Sequence, residues 1–135
     1  MSDWSSKFHV ESSMPARDGQ YAMFVGRWQP LHKGHLWLIN ERLKHGKNIW
    51  LAIRDIEPDE NNPWTAQEIE KMIYEGELKE LILDGRIIVS IIPDIESVNY
   101  GRGVGYDVIR HVPPKEIGDI SATSIRNKMR KDGKL

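Results

Sequence analysis

Gly26-Arg27-Trp28-Gln29-Pro30-Leu31-His32-Lys33-Gly34-His35 is the stretch on which the reading of this chain turns. An apolar run from Tyr21 to Val25 leads into it, and the periodic set Leu36, Leu38, Ile39, Arg42 and Leu43 leads out. That pattern predicts a strand, a glycine turn and a helix, with His35 in or beside the first helical turn. Gly26 permits a sharp turn, Pro30 stiffens the loop, and Gly34 removes a side chain where a ligand would approach main-chain amides. Amides at a helix start attract anions, and the imidazoles of His32 and His35 can donate hydrogen bonds to phosphate oxygens. The segment therefore reads as a phosphate-handling turn.

Other readings of the two histidines carry less. A zinc site needs a third ligand, yet His9, His45 and His111 show no metal spacing and the chain has no cysteine, so no metal ligands are assigned. No Walker A pattern occurs. Two ordinary polar residues on a surface loop would explain the pair alone, but not the pair together with the rest of the chain.

Composition sets the bounds. A chain of 135 residues can hold one domain with a real core. A formal net charge of −1 argues against a general nucleic-acid or anionic-membrane surface, so anion binding must come from a local positive cluster. The absence of cysteine excludes disulfides and fits a reducing cytoplasm. No apolar run has the length of a membrane span, and Met1 to Arg17 is too polar for a signal peptide. A cytoplasmic protein is expected, with no nucleic-acid or membrane partner, and a homo-oligomer is compatible with the sequence.

Residues 1–20, rich in serine, read as an irregular arm that Trp4 and Phe8 would pin to a domain over 21–135. Within that domain blocks alternate: strand Tyr21 to Val25, helix about Gly34 to Lys44, strand Asn48 to Ile53, helix about Ala66 to Leu78, and strand Ile87 to Ile92. Such alternation predicts an α/β fold, a parallel sheet with right-handed crossovers flanked by helices in a compact single domain. Thr65 and Glu68 form a capping-box signature. Tyr106 to His111 is expected as one more strand, and Thr123 to Lys131 as the last helix. In an open parallel sheet the ligand lies beyond the carboxyl ends of the strands, where Gly26 to His35, Arg54 to Asn62 and Pro93 to Asn99 all fall.

Ile120-Ser121-Ala122-Thr123-Ser124-Ile125-Arg126 is the second signal. Ser121, Thr123 and Ser124 cluster hydroxyls at a helix start, and Arg126 extends a planar fork in the first turn, as a triphosphate site would need. A capped surface helix with a solvated basic face of Lys128, Arg130 and Lys131 is the plain alternative.

The two segments, in this order, resemble the His-x-Gly-His and Ile-Ser-x-Thr-x-x-Arg signatures of the nucleotidyltransferase superfamily. Within it the chain is most similar to archaeal-type nicotinamide mononucleotide adenylyltransferases, a likeness that takes in Asn62-Pro63-Trp64-Thr65-Ala66, Pro93-Asp94-Ile95-Glu96 and Arg126 to Gly133. It covers most of Tyr21 to Gly133. The resemblance implies a Rossmann-like fold of nucleotidyltransferase type and transfer of a nucleoside monophosphate, AMP from ATP, to a phosphorylated acceptor such as nicotinamide mononucleotide, with pyrophosphate released and Mg²⁺ bound mainly through the triphosphate. It further implies that His32 and His35 meet the charge developing at the α-phosphate and that Ser121, Thr123, Ser124 and Arg126 hold the β- and γ-phosphates. Arg27 would neutralise phosphate, and Val25, Gly26, Gln29 and Gly34 would line the nucleotide cleft.

Three departures separate the chain from that family. Ala52-Ile53-Arg54-Asp55 stands where a Gly-Ser-Ala-Gln run is usual, and Asn61 where a basic residue is usual; Arg54 would supply the charge. The segment before the final motif is also short, bridged by Tyr100-Gly101-Arg102-Gly103-Val104-Gly105-Tyr106, which removes part of the usual pyridine-nucleotide pocket and resembles the compactness of glycerol-3-phosphate cytidylyltransferases. The bridge reads either as a flexible connector or as a replacement for the missing acceptor contacts, with Tyr100 stacking on the acceptor and Arg102 pairing with it. The competing functions are a cytidylyltransferase using CTP and a phosphorylated alcohol, and a non-catalytic nucleotide-binding sensor domain.

Overall fold

The computed structural model describes residues 14–16, 19–103 and 105–135. Most of the expected arm, Trp4 and Phe8 included, lies outside them. Three strands, β1 (Tyr21–Gly26), β2 (Asn48–Asp55) and β3 (Ile87–Pro93), form a parallel sheet in the order β1-β2-β3. Tyr21 pairs with Asn48 and Gly26 with Ile53 at one junction; Ile49 pairs with Ile87 and Asp55 with Pro93 at the other. β2 is the central strand, and its Ile49, Leu51, Ala52 and Ile53 are fully buried, as expected of a strand covered on both faces.

Helix α1 (Lys33–Leu43) connects β1 to β2 and packs on β2. Helix α2 (Ala66–Glu75) and the short α3 (Lys79–Leu83) connect β2 to β3 and pack against β3. Ile39, Ile69 and Ile73 carry the helical side of the core, and Thr65 with Glu68 makes the expected capping box. The helix expected over Ala66 to Leu78 is divided, because Gly76 adopts an extended conformation at its end and turns Leu78 into the core. A single turn, α4 (Lys115–Gly118), precedes α5 (Ala122–Lys131), which starts one residue before its expected position with Ser121 as N-cap.

The strand expected over Tyr106 to His111 does not form. Tyr106, Val108 and Ile109 are exposed, and nothing pairs with their backbone. The His111 ring stacks over Phe24 of β1 at 6.4 Å, so the segment passes the sheet without joining its ladder. The α/β fold is otherwise as read: a Rossmann-like parallel sheet with helices beside it. No described helix is long and apolar enough to cross a membrane.

Candidate functional site

Above the carboxyl end of β1 the chain turns through Trp28, whose φ of 53° lies in the left-handed region. The sharp turn thus falls two residues beyond Gly26. Gly26 serves another purpose, since a Cβ there would stand 3.0 Å from Cε2 and Cζ2 of the Trp28 indole. Trp28 is buried, and its Nε1 donates to the Ala52 carbonyl of β2 at 2.9 Å.

His32 and His35 then cap α1 reciprocally. The Gly34 amide donates to Nδ1 of His32 at 3.0 Å, and the His32 amide donates to Nδ1 of His35 at 3.1 Å. A nitrogen that accepts from an amide carries no proton, so in each neutral ring the proton sits on Nε2. The rings stack at 3.7 Å with 22° between their planes, and Trp28 meets His35 edge to face at 4.8 Å. Desolvation, and next the neighbouring His32, push the His35 pKa down to about 4; burial lowers that of His32 as well. At neutral pH the pair therefore offers two uncharged Nε2–H donors. Gly34 answers to this stack, since a Cβ there would lie 2.9 Å from Cε1 of His32.

Arg126, 7% exposed, comes to the same turn from α5: its Nη1 donates to the Gln29 carbonyl at 2.6 Å and its Nη2 to Oγ1 of Thr123 at 3.3 Å. The two sequence motifs are thereby joined directly. Gln29 is buried, but its amide exchanges hydrogen bonds with the Trp64 backbone, donating at 2.9 Å and accepting at 3.1 Å. The side chain expected to line a cleft instead tethers one loop to another. Ser121 accepts from the Ser124 amide and donates to its hydroxyl, with Thr123 and Ser124 exposed at the helix start.

Positive charge gathers around this junction. Burial, then Arg130, then Arg27 push the Arg126 pKa down, with Asp59 alone opposing. Arg130 lies one turn beyond Arg126 on α5, and its Nη2 donates to the Glu60 carbonyl. Arg130 therefore does not lie on a merely solvated basic face, and its four-residue spacing from Arg126 puts both on one side of the helix. Asp59 fixes the loop beneath by accepting from the amides of Asn61 and Asn62 at 2.8 and 2.7 Å.

The acceptor candidates stand apart in kind. Arg54, at the end of β2, is committed to Asp94, with Nε and Nη2 at 2.8 and 2.7 Å from Oδ1, and it also reaches the Ile95 carbonyl. Tyr100 and Arg102 are exposed on the glycine-rich bridge. Beside His32 opens a cavity of about 540 Å³, walled chiefly by Leu31, Leu36, Ile69, Met72, Ile73 and Ile125. Its apolar walls suit a ring better than a polyphosphate. Among the described residues no group of three or more His, Cys, Asp or Glu side chains could hold a metal ion.

Residues 23–75 match the family model described as cytidylyltransferase-like. A nicotinamide/nicotinic acid mononucleotide adenylyltransferase of Acinetobacter baylyi is 38% identical over 55 residues, 39% of this chain and 29% of that protein. A nicotinamide-nucleotide adenylyltransferase of Thermoplasma acidophilum is 33% identical over 88 residues, 64% of this chain and 46% of that one. A solved bifunctional NMN adenylyltransferase/ADP ribose pyrophosphatase from Francisella tularensis is 32% identical with a TM-score of 0.44, over 56% of this chain and 22% of that chain. The chain spans less than half the length of the curated relatives it matches.

Proposed function

We propose that this chain is a nucleotidyltransferase akin to the archaeal nicotinamide-nucleotide adenylyltransferases it is similar to, and that it transfers AMP from ATP to nicotinamide mononucleotide. The observation that carries this reading is the meeting of the two motifs at Gln29, where Arg126 grips the turn that presents both histidines. The domain responsible is the one over residues 21–135.

In the reaction an oxygen of the acceptor phosphate attacks the α-phosphorus of ATP. One P–O bond forms, the bond from the α-phosphorus to the bridging oxygen breaks, and pyrophosphate leaves with the bonding electrons. The acceptor phosphate is already a nucleophile, so the protein's task is positioning and charge stabilisation. Nε2–H of His32 and of His35 donate to the α-phosphate oxygens, and do so without moving a proton. Arg126, with the Ser121, Thr123 and Ser124 hydroxyls at the start of α5, holds the β- and γ-phosphates, while Arg27 adds charge from the loop. Val25, Gly26 and Gly34 shape the backbone against the nucleotide. Mg²⁺ would be bound mainly through the triphosphate oxygens. Arg54, Tyr100 and Arg102 are the proposed acceptor contacts.

Pyrophosphate release measured across the four ribonucleoside triphosphates with a panel of phosphate acceptors tests this. Release with ATP and nicotinamide mononucleotide is expected. Release only with CTP and a phosphorylated alcohol would make the protein a cytidylyltransferase, and ATP binding without any release would make it a sensor domain.

A further inference from the structure

We propose that Trp28 is the positioning residue for His35: its indole, bonded to β2 and packed on Gly26 of β1, fixes the plane of the imidazole and shields it from water, so that its Nε2–H points into the site. The inference builds on the function proposed above, but its structural basis is independent. A tryptophan is a poor occupant of the left-handed region, and at φ 53° the backbone holds there only because the surroundings over-determine it. Three constraints do so. Nε1 is bonded to the Ala52 carbonyl at 2.9 Å, the side chain is 7% exposed, and the missing Cβ of Gly26 leaves the room that Cε2 and Cζ2 fill.

Against this fixed wall stands His35, edge to face at 4.8 Å with 89° between the planes. His32 covers it by stacking, and the His32 amide holds Nδ1. Nε2 is the one polar atom of the ring not used within the turn. The titratable group facing His35 is His32, and desolvation contributes more than that neighbour to holding the imidazole neutral.

The test compares the full chain with Trp28→Leu, Trp28→Phe and Gly26→Ala. Nitrogen–proton correlation spectra over a pH titration report the tautomer and pKa of His35, and steady-state kinetics separate kcat from KM. In Trp28→Leu the His35 pKa is expected to rise from about 4 toward 6.5, with kcat down about tenfold or more and the KM for ATP within about threefold. Trp28→Phe keeps an aromatic wall but loses the anchor on Ala52, and is expected to fall between. Gly26→Ala displaces the indole without emptying the core, and covers the case in which Trp28→Leu fails to fold. An unchanged His35 titration and kcat in folded variants would overturn the proposal. If the wild-type chain releases no pyrophosphate with any substrate pair, the functional reading fails, while the titration still decides the part played by Trp28.

Discussion

Truncating His35 to alanine separates the two duties this residue has in the structure. Nδ1 accepts the His32 amide, completing the cap of α1, and the ring packs against Trp28. Losing a cap bond costs about 1 kcal/mol, and losing an aromatic contact of this type about 0.5–1.5 kcal/mol. A sum of about 2 kcal/mol is small beside the roughly 5–15 kcal/mol of an ordinary domain, so the variant is expected to fold. The catalytic loss is larger. Removing one preorganised donor from the site of developing charge costs roughly 3 to 4 kcal/mol, which is about a hundredfold or more in turnover. Initial rates of pyrophosphate release at saturating ATP and nicotinamide mononucleotide, measured beside thermal unfolding, supply both quantities. His35→Asn, which keeps a short acceptor for the His32 amide but cannot extend a donor as far as Nε2, should lose the same turnover with a smaller loss of Tm. A folded His35→Ala variant turning over at close to the wild-type rate would remove the histidine from the mechanism.

Three further outcomes are expected. Arg126→Ala should weaken ATP binding far more than AMP binding in isothermal titration, and equal losses for the two would place the guanidinium away from the β- and γ-phosphates. Acid should destabilise the fold through His35, whose pKa is about 4 when folded against 6.5 for an ordinary imidazole. Because the folded pKa is the lower, its contribution is intact above 6.5 and declines as pH falls to about 4; discounted for partial exposure it is about 2 kcal/mol, and urea unfolding of the wild type and His35→Asn at pH 7, 5 and 4 should show the flatter profile in the variant. Arg102→Ala should raise the KM for the acceptor about tenfold and leave that for ATP alone; an unchanged acceptor constant would return residues 100–106 to the status of a connector.

The parts of the fold legible in the sequence are those set by local periodicity. The alternation of apolar runs with helical repeats located all three strands, and Thr65 with Glu68 marked the start of α2 because a capping box needs only four residues of chain. Tyr106 to His111 forms no strand because a strand needs a partner ladder as well as a suitable sequence, and this segment passes β1 with its His111 ring over Phe24 instead. The site shows the same division. His32, His35 and Arg126 were visible as motif letters, but the sequence could not tell that Gln29 would turn its amide to Trp64 or that Trp28, not Gly26, would take the left-handed conformation. Those outcomes depend on contacts between residues tens of positions apart, on which no local rule bears.

How the arginines are held explains why this corner of the molecule suits a polyanion. Arg54 lies against a carboxylate, Asp94, so its charge is already matched before any ligand arrives. Arg126 and Arg130 are fixed by main-chain carbonyls instead, those of Gln29 and Glu60. A carbonyl dipole sets the direction of a guanidinium but does not cancel its charge, and Arg126 feels the charges of Arg130 and Arg27 against that of Asp59. Mutual repulsion at close quarters is unfavourable in the ligand-free chain and is relieved when an anion enters. The same two carbonyl bonds hold α5 against the loops that follow β1 and β2, so Arg126 and Arg130 both fix the helix in place and carry the charge that the proposed triphosphate would meet.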